Sequence, residues 1–451
     1  MDTRPSSPEI VKSPALHEES DIHVSTYCGT REKAARDGFP TSRPDMSLPS
    51  RVAPPRDTTL RQPVVWLVTL GTCFNERVTG GLGVLLIGYG QAGRFFHRPL
   101  IGAAAGLDIR GVVTGSPERR AQVLKDLPGV RIHHTAEDAW LHLEDIDVVV
   151  IASANRTHVP LALKAAQHGL HMVIDKPMAA SAKMAEIVFE AAAAAGVQIH
   201  PFQNRRWDSD FLTLCWIADQ GVLGSLHRLE SRFERLRTVP TGNWRESGDP
   251  KDLGGVHLDY GAHLVDQAIA LMGPVTRVTA HIRSLRDPLG ANDDVEMILS
   301  HRDSSISLLI ASQASAFGVP RFLLTGTTGG VRVDEPDTQQ AALRKGMIPS
   351  DPNYGVEAVG VTAHLRIREA SGEIVDSRVQ PSAGNWNIFY PRVHASIARG
   401  QAAPVLCSDV LANLRVLDAA RRSAETGEVV RLNPPAAHES TRSYDPLLHA
   451  S

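Results

Sequence analysis

The sequence has few cysteines, and their spacing groups none of them. No C-x-x-C motif occurs among the four, which are Cys28, Cys73, Cys215 and Cys407. Neither a disulfide framework nor a structural zinc site is therefore indicated. Scattered single cysteines fit a reducing compartment, and we expect a cytoplasmic protein.

Long apolar runs are also missing. The longest, Val64 to Leu70, is far shorter than the ~20 residues that a membrane helix requires. No basic segment opens the chain as it does in a secretory signal. We expect no membrane span and no secretory signal.

The chain has no excess of charge of one sign. Its 47 basic and 50 acidic residues give a formal net charge of −3. Nucleic-acid binding depends on a basic surface, so no nucleic-acid partner is expected. With 42% hydrophobic residues the chain has enough apolar material for a buried core.

A length of 451 residues leaves room for two domains of ordinary size. Residues 1–80 are rich in Pro, Ser, Arg and Thr and show no lasting apolar period, which predicts a disordered extension. The alternative is that the natural start lies downstream, for example at Met46. Residues 434–451 are predicted to be a flexible tail.

From residue 82 to 203, apolar strands alternate with helical segments. The first strand, Leu82 to Ile87, is followed by a glycine turn, a helical segment through Ile101 and a second strand, Ile109 to Thr114. The alternation continues to a strand near Val197 to His200. It predicts a parallel sheet with helices on both faces, which is a Rossmann dinucleotide-binding domain.

Residues 204–433 follow a different order. A helix near Asp208 to Asp219 precedes extended segments, a helix from Ala262 to Met272 and strand-like runs between Val275 and Val333. Two late helices are expected, Trp386 to Arg399 and Val410 to Glu425. The fold class predicted is α/β, with this second α+β domain containing a large, mostly antiparallel open sheet.

The turn Gly88-Tyr89-Gly90-Gln91-Ala92-Gly93 lies directly after the first strand and opens a helix. Small residues in this context let the backbone close on a pyrophosphate at the helix N-terminus. Glycine turns without a ligand also exist, but the flanking strands and helix favour dinucleotide binding here.

The end of the second strand indicates which dinucleotide is bound. An NAD-preferring fold usually has an acid there to bind the ribose 2′-hydroxyl, and this strand ends at Thr114 without one. Ser116, Arg119 and Arg120 could bind a 2′-phosphate instead. NADP is therefore favoured, with NAD as the second choice. Alternatively, the arginines are solvated at the start of a helix that Ser116 caps.

Lys176 is the first candidate catalytic residue. Asp175-Lys176-Pro177 ends an apolar strand at the carboxyl edge of the sheet, where ligands bind in open α/β folds. Proline fixes the turn and directs the lysine toward the crevice expected to hold the nicotinamide. A plain surface lysine is the alternative.

The second cluster opens the helix that runs to Met272. Asp259 and His263 are four residues apart and would share one helical face, with a carboxylate orienting a histidine that accepts a hydroxyl proton. Gly254 and Gly255 would let the backbone approach a ligand. An N-cap and a solvent-facing histidine are the alternative. A metal site is not expected because no third ligand lies nearby.

Together, the glycine turn, Asp175-Lys176-Pro177 and the Asp259-x-x-x-His263 pattern resemble the Gfo/Idh/MocA oxidoreductase family over nearly all of 82 to 433. Four further stretches are similar to the branch that contains NADP-dependent scyllo-inositol 2-dehydrogenases: Gln203 to Leu212, Asn243 to Glu246, His263 to Gln267, and Asp337 to Gln340 followed by Leu343 and Gly346. The resemblance implies a C-terminal domain whose open sheet often mediates assembly, so a homodimer or homotetramer is expected.

By matching positions, the resemblance implies that Lys176 contacts substrate and cofactor, that His263 is the general acid/base and that Asp259 holds substrate hydroxyls. It also places Asn155 and His158 beside the nicotinamide. This sequence departs from the family's usual glutamate at Asp175 and Gln340, and Tyr260 stands where an apolar residue is common. The last two departures leave the substrate open.

The expected function is hydride transfer between a nicotinamide cofactor and a secondary hydroxyl of a cyclic polyol or sugar. A non-catalytic NADP-binding sensor or assembly subunit is one alternative. Reduction of another carbonyl or an imine is a second. Five further residues could shape the pocket or, for the tryptophans, form interface core: Arg205, Arg206, Trp207, Trp244 and Arg245.

Overall fold

The computed structural model describes residues 81–239 and 242–433. The predictions for residues 1–80 and 434–451 lie outside this part of the chain. Within it, no helix has the length and apolar character needed to cross a membrane.

The first sheet has six parallel strands in the order β3-β2-β1-β4-β5-β6. Its strands are β1 (Leu82–Ile87), β2 (Leu107–Val113), β3 (Arg131–His133), β4 (Val148–Ile151), β5 (His171–Asp175) and β6 (Ile199–Phe202). Continuous apolar runs explain the parallel arrangement, since strands covered on both faces need no polar face. In β4 every residue is buried.

The α-helices between and after these strands cover both faces. They are α1 (Arg98–Gly102), α2 (Pro117–Asp126), α3 (Ala136–Ala139), α4 (His158–Gln167) and α5 (Ala182–Ala195). Strand order reverses between β1 and β4, and open α/β sheets bind ligands at such a switch point. The predicted Rossmann domain is confirmed.

The second sheet has nine strands in the order β14-β13-β12-β11-β7-β10-β9-β8-β15. These are β7 (Leu226–Glu234), β8 (Val275–Arg283), β9 (Asp294–His301), β10 (Ile306–Ser312), β11 (Phe322–Gly326), β12 (Gly329–Val333), β13 (Ala363–Arg368), β14 (Ile374–Val379) and β15 (Val430–Arg431). Within this second sheet, β7 and β10 are the only described strands that pair in parallel. The mostly antiparallel sheet is therefore confirmed.

One face of this sheet is covered and the other is open. The helices of this half are α6 (Ser209–Asp219), α7 (Val256–Asp259), α8 (Gly261–Met272), α9 (Gln339–Arg344), α10 (Phe389–Arg399) and α11 (Cys407–Thr426). Strand β9 shows the two faces, because Met297 and Leu299 are buried while Ile298 between them is 48% exposed. Helices α8 and α11 pack on the covered face.

Candidate active site

The three glycines of the nucleotide turn have different surroundings. Gly88 has φ of +100°, and a Cβ on it would lie 2.6 Å from the Ala152 carbonyl oxygen. A Cβ on Gly93 would lie 2.0 Å from the Gly88 carbonyl oxygen, whereas a Cβ on Gly90 would meet nothing within 4 Å. Gly88 and Gly93 therefore close the turn, and Gly90 leaves open space that fits a dinucleotide pyrophosphate.

The helix that follows the turn begins at Gln91 and contains a π-helical stretch at Gly93–His97 before α1. Tyr89, Gln91 and Ala92 line the cleft beside Gly90. The Tyr89 ring is buried, and its hydroxyl donates to Asp126 Oδ2 at 3.0 Å. The Tyr89 side chain therefore fastens the turn to α2.

At the tip of β2, Arg119 lines the cleft and Ser116 is not among the lining residues. The Ser116 hydroxyl accepts from the Arg119 backbone N–H at 3.3 Å and donates to Glu118 Oε2 at 2.5 Å. Ser116 is thus the N-cap of α2, as in the alternative to 2′-phosphate binding given above. His134 and Thr135 line the cleft here, and the sequence analysis missed both.

Asn155 and His158 occupy different positions near β4. Asn155 lines the cleft, and its Nδ2 donates to the Leu253 backbone oxygen at 2.8 Å. His158 is fully buried behind the cleft wall, with Nδ1 2.9 Å from the Pro177 carbonyl oxygen. His158 therefore supports the turn after Lys176 and is not a lining residue.

Asp175 stands at the end of β5, and its Oδ1 accepts from the Lys176 backbone N–H at 2.8 Å. Its other carboxylate oxygen lies 3.9 Å from His97 Nε2. Burial raises the pKa of the Asp175 carboxyl, but His97 and Lys176 outweigh burial and hold this pKa below its usual value. A charged Asp175 therefore fixes the backbone that presents Lys176.

Lys176 and Asp259 meet across the two domains. The Lys176 Nζ donates to the Asp259 backbone oxygen and to Asp259 Oδ1, each at 2.6 Å. Burial raises the pKa of the Asp259 carboxyl, but Lys176, Arg245 and the hydrogen bond together hold it below its usual value. Both side chains line the cleft.

The expected pairing of Asp259 with His263 is not formed among the described residues. The chain leaves α7 at Asp259 and begins α8 after Tyr260, and the Asp259 carboxylate bonds to Lys176. His263 is 5% exposed, lines the cleft and has no hydrogen-bond partner for Nδ1 in the described part of the chain. Burial and the nearby cations Lys176, Arg205 and Arg321 lower its pKa well below the usual value.

Gly254 and Gly255 serve the protein's own packing. A Cβ on Gly254 would lie 2.6 Å from the Arg245 carbonyl oxygen, and one on Gly255 2.4 Å from Asn292 Nδ2. Neither lines the main cleft. Gly255 lines a smaller neighbouring pocket, and the close contacts that the two glycines allow are with other parts of this chain.

The cleft has a volume of about 1650 Å³ and is lined by both domains. Of the predicted pocket residues, Arg205, Trp244 and Arg245 line it. Trp207 is buried against Phe389 and belongs to the core, as the alternative held. The sequence analysis missed Arg235, Arg237 and Arg344, because isolated arginines in loops and on a short helix form no motif.

Comparisons with known proteins agree with this architecture. Residues 82–203 match a family model described as oxidoreductase family, NAD-binding Rossmann fold, and residues 211–332 match one described as GFO/IDH/MocA C-terminal domain. A crystal structure from Klebsiella pneumoniae is 33% identical, with a TM-score of 0.69, and the match covers 78% of this chain and 96% of that one.

The matches to two curated relatives cover nearly the whole length of each relative. The uncharacterized oxidoreductase YdgJ of Escherichia coli is 30% identical over 77% of this chain and 98% of its own. The scyllo-inositol 2-dehydrogenase (NADP(+)) IolW of Bacillus subtilis is 27% identical over 79% of this chain and 98% of its own. With the glycine turn and the Lys176–Asp259 pair in place, this chain belongs to the Gfo/Idh/MocA family of NAD(P)-dependent oxidoreductases.

Proposed function

We propose that the protein oxidises a secondary hydroxyl of a cyclic polyol or sugar with NADP, or reduces the corresponding ketone. The observation that supports this most directly is the position of Lys176, whose Nζ is held at 2.6 Å from Asp259 in the cleft that also contains the nucleotide turn. When bound, the nicotinamide accepts or supplies the hydride.

Lys176 and Asp259 supply complementary contacts to a hydroxyl. The Nζ has further N–H groups to donate to a substrate oxygen, and a positive charge there stabilises an alkoxide as it forms. Asp259 Oδ2 can accept from a neighbouring hydroxyl, which suits a polyol with adjacent hydroxyl groups. Asp175 holds the backbone at Lys176, and Asn155 holds the loop that contains Leu253.

His263 is the proposed general base for oxidation. Oxidation of an alcohol removes a hydride from carbon and a proton from oxygen, so a neutral group must accept that proton. Because its pKa lies well below the usual value, His263 is neutral at physiological pH. In the reverse reaction His263 would first take up a proton from solvent and then donate it to the oxygen of the new hydroxyl.

For the cofactor, we propose a preference for NADP. The turn Gly88, Tyr89, Gly90, Gln91, Ala92 and Gly93 would hold the pyrophosphate. Arg119 lines the cleft, forms no ion pair in the described part of the chain and would bind the 2′-phosphate. The relative IolW is named as an NADP(+) enzyme, which also supports this choice. Ser116 would act through the N-cap that positions Arg119.

The test is a dehydrogenase assay with NADP and NAD over inositol isomers and hexoses, comparing the wild type with Lys176→Ala. We expect turnover with NADP, a decrease in kcat of about 100-fold or more in the variant, and NADPH binding that the variant retains. Lys164→Ala is the matched control, because Lys164 is exposed on α4.

Two results would contradict the proposal. A wild type that binds NADPH but oxidises no substrate in the panel, and reduces no corresponding ketone, would favour the non-catalytic sensor. Tighter binding and faster turnover with NAD would remove the NADP preference and leave the oxidoreductase assignment.

A further inference from the structure

Three arginines line the cleft near Asp259 without a carboxylate partner. Arg235, Arg237 and Arg245, here called the arginine cluster, form no ion pair within 4.0 Å in the described part of the chain. Of the other cleft arginines, Arg205 pairs with Asp208 at 2.8 Å and Arg156 pairs with Asp252, whereas Arg119 and Arg344 form no ion pair in the described part of the chain.

The backbone of the arginine cluster is held in place. Arg235 N–H donates to the Ser312 oxygen at 3.0 Å and Arg237 N–H to the Gln313 oxygen at 2.8 Å, which fixes the segment after β7. The Arg245 carbonyl oxygen accepts from the Gly255 N–H at 2.7 Å. All three side chains also adjoin a small pocket that Asp259 lines, which places the cluster beside the Lys176–Asp259 pair.

Carboxylates close to the arginine cluster already have partners. Asp259 is bonded to Lys176. Glu234 Oε1 lies 3.6 Å from Arg232, and Glu246 Oε1 lies 3.4 Å from Arg286. Among the described residues, this end of the cleft therefore has three guanidinium groups without an ion pair, while each nearby carboxylate is already shared with another cation.

Arg235 is the member of the cluster whose pKa is shifted. Burial, and next the charge of Arg237, lower the pKa of Arg235 to about 10, so it stays charged at neutral pH. Like charges held together in a protein cleft are unfavourable unless an anion binds between them. Arginine also matches the planar geometry of carboxylate and phosphate oxygens.

Arg344 lies between the nucleotide turn and the arginine cluster. Its Nη2 donates to Gln91 Oε1 at 3.2 Å, and burial followed by the charges of Arg237 and Arg245 lowers its pKa. The cluster instead neighbours Asp259, whose pKa is lowered by Arg245 after Lys176. Its position corresponds to the substrate end of the cleft.

We infer that the substrate is an acidic sugar or polyol, whose carboxylate or phosphate is bound by Arg235, Arg237 and Arg245 while its reacting hydroxyl lies at Lys176. This inference rests on the proposed function and adds the charge of the substrate to it. A neutral polyol would leave the three guanidinium groups without an anionic partner.

The test compares matched neutral and anionic probes with NADP as oxidant: D-glucose, D-glucuronate and D-glucose 6-phosphate, and myo-inositol with its 1-phosphate. We expect kcat/KM to be higher for an anionic member of a set by about tenfold to 100-fold. Comparison of D-glucuronate with the two phosphate esters shows whether the substrate's anionic group is a carboxylate or a phosphate.

Arg237→Gln and the double variant Arg235→Gln/Arg237→Gln locate the effect. We expect KM for the anionic probe to rise by about tenfold or more, with KM for the neutral probe and the Kd for NADPH unchanged. Arg378→Gln, an exposed arginine on β14 outside the cleft, is the control. A variant that weakens NADPH instead would assign the cluster to the cofactor and overturn the inference.

The two proposals fail separately. Turnover of neutral probes at least as efficient as that of anionic ones, unaffected by the arginine variants, would overturn the anionic substrate and keep the oxidoreductase. If no probe is turned over, calorimetric titration of D-glucuronate and D-glucose 6-phosphate into the NADPH complex decides. Binding that Arg237→Gln abolishes supports the anion site, and no binding, or binding that the variant retains, overturns it.

Discussion

At the scale of single residues, Gly90 separates cofactor binding from folding. A Cβ there would meet no protein atom within 4 Å, and Gly90 does not have a positive φ. We therefore expect Gly90→Ala to change the free energy of unfolding by less than about 1 kcal/mol. NADPH affinity should fall by roughly tenfold or more, because the methyl group would occupy the space proposed for the pyrophosphate. Fluorescence titration and urea unfolding measure the two quantities.

Gly93→Ala is the matched control in the same turn. Its Cβ would lie 2.0 Å from the Gly88 carbonyl oxygen, so this variant should also destabilise the free protein, by about 1–3 kcal/mol. Unchanged NADPH affinity in Gly90→Ala would mean that the pyrophosphate does not approach Gly90.

At the scale of elements, a buried ion-pair network holds the helix that presents His263. Arg206 donates to both carboxylate oxygens of Asp266 on α8, each at 2.8 Å, and to Asp409 on α11 at 2.9 Å. Arg206→Met would leave two carboxylates without their partner. We expect a loss of about 3–5 kcal/mol in the free energy of unfolding, measured with urea.

Arg415→Met tests whether burial is the cause. Arg415 also joins two elements, donating to Glu186 on α5 at 2.8 Å, but both side chains are exposed, at 48% and 40%. Its loss should cost less than about 1 kcal/mol. Equal losses in the two variants would contradict the assignment of the network as the fastening of α8.

The elements also show how far sequence patterns reach. Strands such as Val148–Ile151 are predictable because they are continuously apolar, whereas β13 and β14 contain many polar and charged residues and were missed. Lys176 was identified because a strand and a proline surround it. The Lys176–Asp259 bond was not, because it joins positions 83 residues apart and depends on how the two domains pack. Arg235 and Arg237 of the arginine cluster were missed for a different reason, since isolated arginines in a loop form no motif.

At the scale of the whole molecule, buried histidines make stability depend on pH. His200 on β6 is fully buried, neither ring nitrogen has a hydrogen-bond partner among the described residues, and burial lowers its pKa to about 4. The unfolded chain therefore binds a proton near pH 6.5 that the folded chain rejects until about pH 4. Stability is complete above the unfolded pKa and falls as the pH decreases between these two values.

Replacing His200 by leucine removes this one titration while filling similar space. Wild-type protein should lose about 2 kcal/mol through His200 between about pH 7.5 and about pH 5, and His200→Leu should lose that much less over the same interval. Because buried carboxyls such as Asp337, with pKa raised to about 6, act in the opposite direction, the variant must be compared with wild type at both pH values. His281→Leu, at an exposed position on β8, should keep the wild-type pH dependence. If His200→Leu and wild type lose the same stability on acidification, His200 is not held neutral by the folded structure.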